Sequence, residues 1–209
     1  MLTQTLLRFT LLGEDWILYI LFGLSLLSVA VMLERLAYFG TRGVSGVDDL
    51  TRKLMAGDLD GASAALAKTK GMEGEVLRAA LAQASKGPEA VEEVIASGIV
   101  RQRMFYERWL AFLGTLGNNA PFVGLLGTVL GIIRAFQDLS NAEPGAISKG
   151  PQTVMAGISA ALVATAVGLF VALPAVVAFN RFQRWLKAIT SRTNMLGHAL
   201  VAYLRAQAK

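Results

Sequence analysis

The sequence has 209 residues, of which 54% are hydrophobic and 17% are charged. An ordinary soluble domain carries roughly 25% charged residues, so this chain has too few charges to cover a globule in water. The lack of cysteine excludes disulfide frameworks, cysteine-bound metals and thiol nucleophiles, and a single histidine, His198, argues against a serine–histidine hydrolase. We therefore expect an integral membrane protein without a cofactor and without enzymatic activity.

Three uncharged stretches are long enough to cross a bilayer, which takes roughly 20 apolar helical residues. We predict an all-α fold with three transmembrane helices and long helical extensions outside the membrane. Arg134 lies near the end of the second stretch, where its side chain can snorkel to the headgroups. The predicted transmembrane helices cover residues 16–39, 109–136 and 152–180.

The first stretch also resembles a signal peptide, because Ser28-Val29-Ala30 offers a small-residue cleavage site. Its flanks argue against cleavage. Glu14 precedes the apolar run where a signal peptide has basic residues, and Glu34 and Arg35 follow it directly. We therefore interpret the stretch as a retained membrane helix.

Lysine and arginine are distributed asymmetrically along the chain. Most of them lie between the first two stretches or after the third, whereas the N-terminal segment holds only Arg8 and the loop after the second stretch only Lys149. The positive-inside rule then assigns residues 1–15 and 137–151 to the outer side of the membrane, which is the periplasm if the family resemblance given below holds, and residues 40–108 and 181–209 to the cytoplasm. The net charge of +5 thus reflects topology, and we expect no nucleic-acid partner.

Residues 40–108 are rich in alanine and leucine and are punctuated by glycine, which predicts a small helical domain. Asp58 is a candidate N-cap for a helix over Ala62–Thr69. Asp58 and Asp60 also resemble the first ligands of a calcium loop, but the later ligands are missing. We interpret them as helix-capping residues.

Apolar residues at helical spacing follow Pro88, among them Val91, Ile95 and Ile99. No break is evident before the second transmembrane stretch, so we predict one continuous helix from Pro88 into the membrane. The residues after Asn180 are predicted to continue the third transmembrane helix in the same way.

The second and third stretches contain small residues at spacings of three and four. In lipid no hydrophobic force brings helices together, so such faces mark close backbone contact. We expect them to join copies of the chain in a homo-oligomer. The predicted packing residues are Gly117, Gly124, Gly127, Gly131, Gly157, Ala161, Gly168, Ala172 and Pro174.

Each small-residue face carries one hydroxyl, Thr128 in the second stretch and Thr165 in the third. Two interpretations stay open: the hydroxyls take part in an ion path, or they only bond to the carbonyl oxygen one turn earlier. Neither stretch has an acidic residue at mid-depth. An ion path would therefore need a titrating group from a partner.

Two segments carry a family resemblance. Asn119–Ile133, with the sequence NAPFVGLLGTVLGII, resembles the AP-x-x-GLLGTV-x-GMI segment of the ExbB/TolQ/MotA family of ion-driven motor subunits. Gly157–Ala175, with the sequence GISAALVATAVGLFVALPA, resembles the third-span motif of the same family. The two motifs occur in the family's order, whereas the region between the first two spans matches only in layout.

The resemblance implies a pentamer of this chain in the bacterial inner membrane, around two helices of a single-span ExbD/TolR-type partner. It implies that an intramembrane aspartate of that partner faces Thr128 and Thr165. Protons, with Na⁺ as the alternative ion, would neutralise and release this carboxylate and so drive work on the cell envelope.

One position departs from the family pattern. The third-span motif of ExbB and TolQ usually reads GIAEAL, whereas this sequence has Ala160 in place of the glutamate. This departure favours a divergent member, such as one that drives gliding motility, and leaves the driven system open.

Two other functions are compatible with these residues. A small secondary transporter acting alone is disfavoured, because the chain has neither an inverted repeat nor a charge at mid-membrane. A passive membrane scaffold, assembled through its glycine and alanine faces, is the stronger alternative. A neighbouring gene for a single-span protein with an aspartate near its start would favour the motor subunit.

Overall fold

The computed structural model describes residues 15–44, 46–67, 69–140 and 150–207. Within these ranges it contains α-helices and one short 3₁₀ turn, and no β-strand. The predicted segments 1–15 and 137–151 fall mostly outside the described residues. In chain order the helices are α1 (Asp15–Gly40), α2 (Val47–Ala56), α3 (Leu59–Ala67), α4 (Met72–Leu81), α5 (Pro88–Glu107), α6 (Leu110–Ser140) and α7 (Gly150–Gln207).

Three of these helices, α1, α6 and α7, are long and apolar enough to cross a membrane. The predicted all-α membrane fold with three spans is therefore confirmed. Helix α7 runs without interruption past Asn180, so the predicted extension of the third span is also confirmed. The part of α7 from Val154 to Gln207 has 54 residues, which is about 80 Å of helix at 1.5 Å per residue. Only part of α7 can lie within a bilayer.

Backbone contacts divide the chain into two compact units. The first, called here the membrane unit, comprises the chain up to Met32 together with Ala111–Phe179. The second, called here the polar unit, comprises Leu33–Leu110 and the chain from Asn180 onward. The division follows the sequence, because 28 of the 35 charged residues belong to the polar unit.

In the membrane unit, α6 and α7 pack antiparallel along their shared length. Contacts on α6 advance toward the C-terminus as those on α7 recede, from Gly114 against Phe179 to Ala135 against Gly157. Helix α1 completes the packing and contributes Ile17 to a buried apolar cluster. The other buried members of that cluster are Leu21, Leu116, Ala120, Val171, Ala172 and Ala175.

In the polar unit, large side chains form the core. Phe39 is 1% exposed, and its ring centroid lies 5.2 Å from that of Tyr106, 5.3 Å from Phe182 and 5.4 Å from Trp185. The short helices add buried leucines at helical spacing, which form their inner faces. Among these residues are Leu50, Leu54, Leu66 and Leu77.

The continuous helix predicted from Pro88 into the membrane is wrong. Helix α5 ends at Glu107, and α6 begins at Leu110. Arg108 leaves the helical region with ψ at 133°, and Trp109 adopts a left-handed φ of 65°. For a residue with a Cβ this conformation costs about 1–2 kcal/mol. Neither Arg108 nor Trp109 is a glycine or a proline, the residues that usually mark a helix break in a sequence.

The predicted helix cap at Asp58 is confirmed, although the helix begins earlier than expected. The Oδ1 atom of Asp58 accepts a hydrogen bond from the Gly61 backbone N–H at 2.9 Å. Helix α3 accordingly starts at Leu59 and not at Ala62. This bond satisfies one of the amides that a helix N-terminus leaves without an internal partner.

Candidate functional site

The closest backbone contact in the membrane unit is formed by two of the predicted glycines. A Cβ added at Gly124 would lie 2.7 Å from the Ala164 carbonyl oxygen and 3.2 Å from the Gly168 Cα. A Cβ added at Gly168 would lie 2.7 Å from the Ala120 carbonyl oxygen. Because both obstacles are backbone atoms, only glycine permits this approach of α6 and α7.

The other predicted packing residues extend the same contact. A Cβ at Gly117 would meet Val176, one at Gly127 would lie 2.6 Å from the Ala164 Cβ, and one at Gly157 would lie 2.6 Å from the Ala135 Cβ. Ala161 and Ala172 are 0% and 3% exposed, and Gly131 is buried. The small-residue faces of α6 and α7 are therefore packed against each other within one chain. Our expectation that they join separate copies is corrected accordingly.

Proline interrupts both helices of this pair, at Pro121 in α6 and Pro174 in α7. Proline has no N–H, so each one leaves the carbonyl group four residues earlier without its usual intrahelical donor. The affected carbonyls belong to Gly117 and Phe170. Pro174 itself is exposed on the helix surface and makes no part of the glycine contact.

The two predicted threonines meet at this contact. The hydroxyl oxygens of Thr128 and Thr165 are in direct hydrogen-bonding contact. The Thr128 hydroxyl also lies 3.2 Å from the Gly124 carbonyl oxygen and 3.4 Å from that of Ala161. The Thr165 hydroxyl lies 3.2 Å from the same Gly124 carbonyl. One carbonyl oxygen thus faces both hydroxyls.

The two hydroxyls have fewer protons than available acceptors. Each threonine hydroxyl donates one proton and accepts at two lone pairs. The acceptors at the pair are the Gly124 carbonyl oxygen, the Ala161 carbonyl oxygen and the two hydroxyl oxygens themselves. The hydrogen bonds of the pair can therefore be arranged in several ways. One threonine hydroxyl can donate its proton to an outside group while the other hydroxyl donates to the oxygen of the first. Thr128 is 9% exposed, and Thr165 is only half-buried. Thr165 is the member of the pair that an approaching group can reach.

A cleft of about 390 Å³ lies at another point of the α6–α7 pair. Arg134 and Asp138 line it together with Gly131, Gly157 and Ala160. Ala160, which replaces the glutamate of the family motif, is exposed. Ala160 adds no acidic group to this lining, in which Asp138 is the acidic residue and Arg134 the basic one.

Sequence reasoning gave no role to two asparagines in the first third of α6. Asn118 and Asn119 are exposed on the membrane unit, and the Asn119 side-chain amide donates to the Thr115 carbonyl oxygen at 2.8 Å. Amides in an apolar span are costly in contact with lipid and face protein or water. That rarity was the available signal, and it marks this surface of α6 as one that a neighbouring chain or water covers.

The polar unit holds a buried acid that sequence reasoning also overlooked. Glu73, in the first turn of α4, is 0% exposed. Its Oε1 lies 3.3 Å from the Arg192 Nε, and neither carboxylate oxygen accepts a well-aligned hydrogen bond. Burial raises the pKa of Glu73 above its ordinary value, and Arg192 offsets this only in part. Burial likewise raises the pKa of Tyr106, whose hydroxyl accepts a bond from the Met72 backbone N–H at 3.3 Å.

No group of three or more histidine, aspartate or glutamate side chains that could hold a metal occurs in the part of the chain that the structure describes. The Asp58 carboxylate, weighed above as a first calcium ligand, accepts the capping hydrogen bond of α3. His198 is exposed on α7.

These features define a three-span membrane protein whose tightest helix contact encloses a pair of hydroxyls. A model of the MotA/TolQ/ExbB proton channel family matches residues 68–195. This match covers more than half of the chain and includes α6 and the membrane part of α7. The chain belongs to the MotA/TolQ/ExbB proton channel family.

Curated relatives agree with this assignment. The Tol-Pal system protein TolQ of Pseudomonas aeruginosa is 44% identical over 99 residues, which are 46% of this chain and 41% of TolQ. The biopolymer transport protein ExbB of Xanthomonas campestris pv. campestris is 36% identical over 113 residues, which are 54% of this chain and 43% of ExbB. ExbB of Neisseria meningitidis is 36% identical over 120 residues, or 57% and 53% of the two chains. The matched part spans about half or less of the length of these relatives.

Proposed function

We propose that this protein is the channel-forming subunit of a proton-driven motor in the bacterial inner membrane. The observation that carries the proposal is the hydroxyl pair of Thr128 and Thr165 at the α6–α7 contact, within a chain of a proton channel family. The pair can bind an ion carrier, but it cannot itself titrate near neutral pH. The carrier is therefore a group from another chain.

The proposed carrier is an intramembrane aspartate of a single-span, ExbD/TolR-type partner. A carboxylate in lipid is costly unless hydroxyls or water solvate it. Thr165, which is the more exposed, would donate to the carboxylate, while Thr128 behind it would hold the Thr165 hydroxyl in position. Proton binding to the carboxylate would then release it from the threonines. No cofactor is required, and Na⁺ remains the alternative coupling ion.

The proposed assembly has five copies of this chain around two partner helices. The glycine faces are already used within one chain, so the copies must associate through other surfaces of the membrane unit. Exposed apolar side chains provide such surfaces: Phe170 is 76% exposed, Leu173 65% and Val177 68%. Five sites around two carboxylates cannot all be occupied at once, and this mismatch would convert stepwise proton binding into rotation.

The proposal is tested by replacing each threonine with valine, which keeps the shape and removes the hydroxyl. A hydrogen bond to a charged group contributes about 1.5–3 kcal/mol, so partner-dependent proton transport in proteoliposomes should fall roughly tenfold or more. Thr165→Val should have the larger effect, because Thr165 would contact the carboxylate. Thr165→Ser should retain most of the transport.

A passive scaffold is the second candidate, because both hydroxyls already bond to carbonyl groups as ordinary packing threonines do. Thr193→Val is the matched control: Thr193 is 0% exposed and donates to the Ile189 carbonyl at 2.9 Å. The scaffold predicts equal, mild effects of all three valine variants on assembly and none on transport. Full transport in Thr128→Val and Thr165→Val would end the ion-path proposal.

The proposed orientation places the N-terminus in the periplasm and the C-terminus in the cytoplasm, as the asymmetry of lysine and arginine favours. The native chain has no cysteine, so single cysteines can be introduced for labelling in intact cells. Ala142→Cys should react with a membrane-impermeant thiol reagent, and Ala84→Cys should not. The opposite pattern would reverse the topology.

A further inference from the structure

The polar unit contains a groove of about 550 Å³ between α5 and α7. Arg103 contributes to it from α5, and the remaining lining residues belong to α7. They recur at three- to four-residue intervals and so occupy one face of that helix. These residues are Gln183, Arg184, Leu186, Lys187, Thr190, Ser191 and Asn194.

The charge of this groove is unbalanced. Arg103, Arg184 and Lys187 line it, and none of its lining residues is acidic. Arg103 is paired with Glu107 at 2.6 Å, whereas Arg184 and Lys187 form no ion pair with any residue that the structure describes. Arg78 and Arg205, which lie outside the groove, are paired with Glu75 and Glu92.

The neutral lining groups also select the kind of ligand. The Ser191 hydroxyl and the Asn194 amide add hydrogen-bond donors to the two uncompensated cations, whereas the Thr190 hydroxyl donates to the Met72 Sδ at 3.9 Å. Arginine and lysine beside such donors suit the oxygens of a phosphate. They do not suit a cation. The groove is therefore built for a phosphate group.

The position of the groove along α7 indicates the source of that phosphate. Arg184 and Lys187 follow Asn180, the last residue of the uncharged stretch, by four and seven residues. At 1.5 Å per residue Arg184 lies about 6 Å beyond it, within a headgroup layer that is roughly 5–7 Å thick on each side of a bilayer. Lys187 lies about 10 Å beyond it, outside that layer, and its long side chain can extend back toward the headgroups. Basic pockets at this level bind anionic headgroups.

We propose that the α5–α7 groove binds the phosphate of an anionic phospholipid headgroup at the predicted cytoplasmic face. The assignment is independent of the proposed ion path, because it involves neither Thr128 nor Thr165. Phosphatidylglycerol is the probe, since its phosphodiester carries one negative charge and its glycerol adds no competing cation. Inorganic phosphate serves as the soluble source of the same group.

The test compares the full-length chain with the double variant Arg184→Gln/Lys187→Gln. Both are reconstituted in nanodiscs of phosphatidylcholine with phosphatidylglycerol, and retained lipid is counted by native mass spectrometry. The double variant should retain at least tenfold less phosphatidylglycerol. The control Arg101→Gln/Arg181→Gln also removes two positive charges, one from α5 and one from α7, at residues outside the groove. It should retain lipid as the wild type does. Arg184→Lys/Lys187→Arg keeps the charge and should also bind.

Two results identify the source of the phosphate, and two others overturn the site. Retention unaffected by excess inorganic phosphate supports the lipid. If inorganic phosphate displaces the lipid from the wild type but not from the Arg184→Gln/Lys187→Gln variant, the groove is a phosphate site with a soluble ligand. Equal loss in both double variants means general attraction between charges and overturns the site. If the Arg184→Gln/Lys187→Gln variant loses its oligomeric state but retains as much lipid as the wild type, a second copy of the chain fills the groove. That result overturns the site as well.

Discussion

The interior of each unit is packed by a different kind of residue. In the membrane unit the tightest contact is between residues without side chains, Gly124 and Gly168, whose backbones approach closely. In the polar unit the centre is a cluster of large rings around Phe39. The ion pairs differ too: charged side chains pair in the polar unit, as Arg205 does with Glu92, whereas the Thr128–Thr165 pair of the membrane unit bonds to carbonyl groups.

The difference follows from the solvent of each unit. Lipid is as apolar as a leucine side chain, so burying leucine in a membrane gains little, and close backbone packing supplies the attraction. Water rewards burial of large apolar side chains by roughly 25 cal/mol for each square ångström. A membrane unit is therefore damaged by enlarging a residue and a polar unit by shrinking one. This contrast can be measured.

The largest effect is expected for Gly124→Leu. Its Cβ would lie 2.7 Å from the Ala164 carbonyl oxygen, and backbone must move to accommodate it. Overpacking of this kind costs about 1–3 kcal/mol or more, and separation of α6 from α7 would also break the Thr128–Thr165 pair. We expect loss of the native oligomer in native mass spectrometry and loss of transport.

Gly23→Leu is the matched control, because Gly23 lies in α1 with nothing within 4 Å of an added Cβ. It should preserve the folded chain. If Gly124→Leu assembled and transported like the wild type, the close glycine contact would not be what holds the membrane unit together.

The next effect is on stability alone and is expected for Phe39→Ala in the polar unit, which leaves the Thr128–Thr165 pair intact. Removing a fully buried ring leaves a cavity and costs about 3–5 kcal/mol. Trp185, 5.4 Å from Phe39 between ring centroids, provides a fluorescence signal for thermal unfolding. Met104→Ala, at a side chain that is 71% exposed, should leave the midpoint nearly unchanged. Equal midpoints for the two variants would contradict a core centred on Phe39.

Much of the membrane unit could be predicted from the sequence. Long uncharged stretches identified the spans, and helical spacing placed Thr128 and Thr165 on the two faces that meet. Spacing cannot say which chain a face meets, because a close contact within one chain and one between copies require the same small residues. The assignment of the glycine faces to contacts between copies failed for that reason.

The polar unit was harder to predict, because its decisive features have no local signal. The break at Trp109 contains neither glycine nor proline, so it resembles continuous helix. Glu73 stands in the first turn of α4, where an acid is ordinarily a solvated group that favours the helix dipole. Its burial depends on α7, more than a hundred residues away, through Arg192.

A smaller effect, on pH dependence, is expected from Glu73. Its pKa is raised in the folded chain by burial, so the folded state binds more protons than the unfolded state between the ordinary and the raised pKa. The stability that Glu73 contributes is therefore fully present below the ordinary carboxyl pKa and is lost as pH rises through the raised pKa. Arg192 is the charged group that acts on it, and its charge lowers the pKa of Glu73.

Glu73→Gln removes this titration. The thermal midpoint of the variant should vary less with pH than that of the wild type, and at neutral pH the variant should be at least as stable. Glu89→Gln, in the first turn of α5 and exposed, is the control and should follow the wild-type curve. A wild type that gains stability as pH rises across the same range would show that the pairing with Arg192 outweighs burial.

The smallest effect is expected for Gly98→Ala, which asks whether a glycine in the polar unit has the role of one in the membrane unit. Its added Cβ would lie 3.3 Å from the Val76 Cγ2, a side-chain atom, whereas the Cβ of Gly124→Ala would lie 2.7 Å from a carbonyl oxygen. A valine methyl can shift by a few tenths of an ångström, and alanine is favoured over glycine inside a helix by about 0.5–1 kcal/mol. The two terms nearly cancel, so the free energy of unfolding should change by less than about 1 kcal/mol.

Gly124→Ala has no such compensation, because its obstacle is backbone. Thermal midpoints of the two alanine variants in the same detergent measure the difference directly. If Gly98→Ala were the more damaging of the two, close backbone approach would not distinguish the membrane unit from the polar unit.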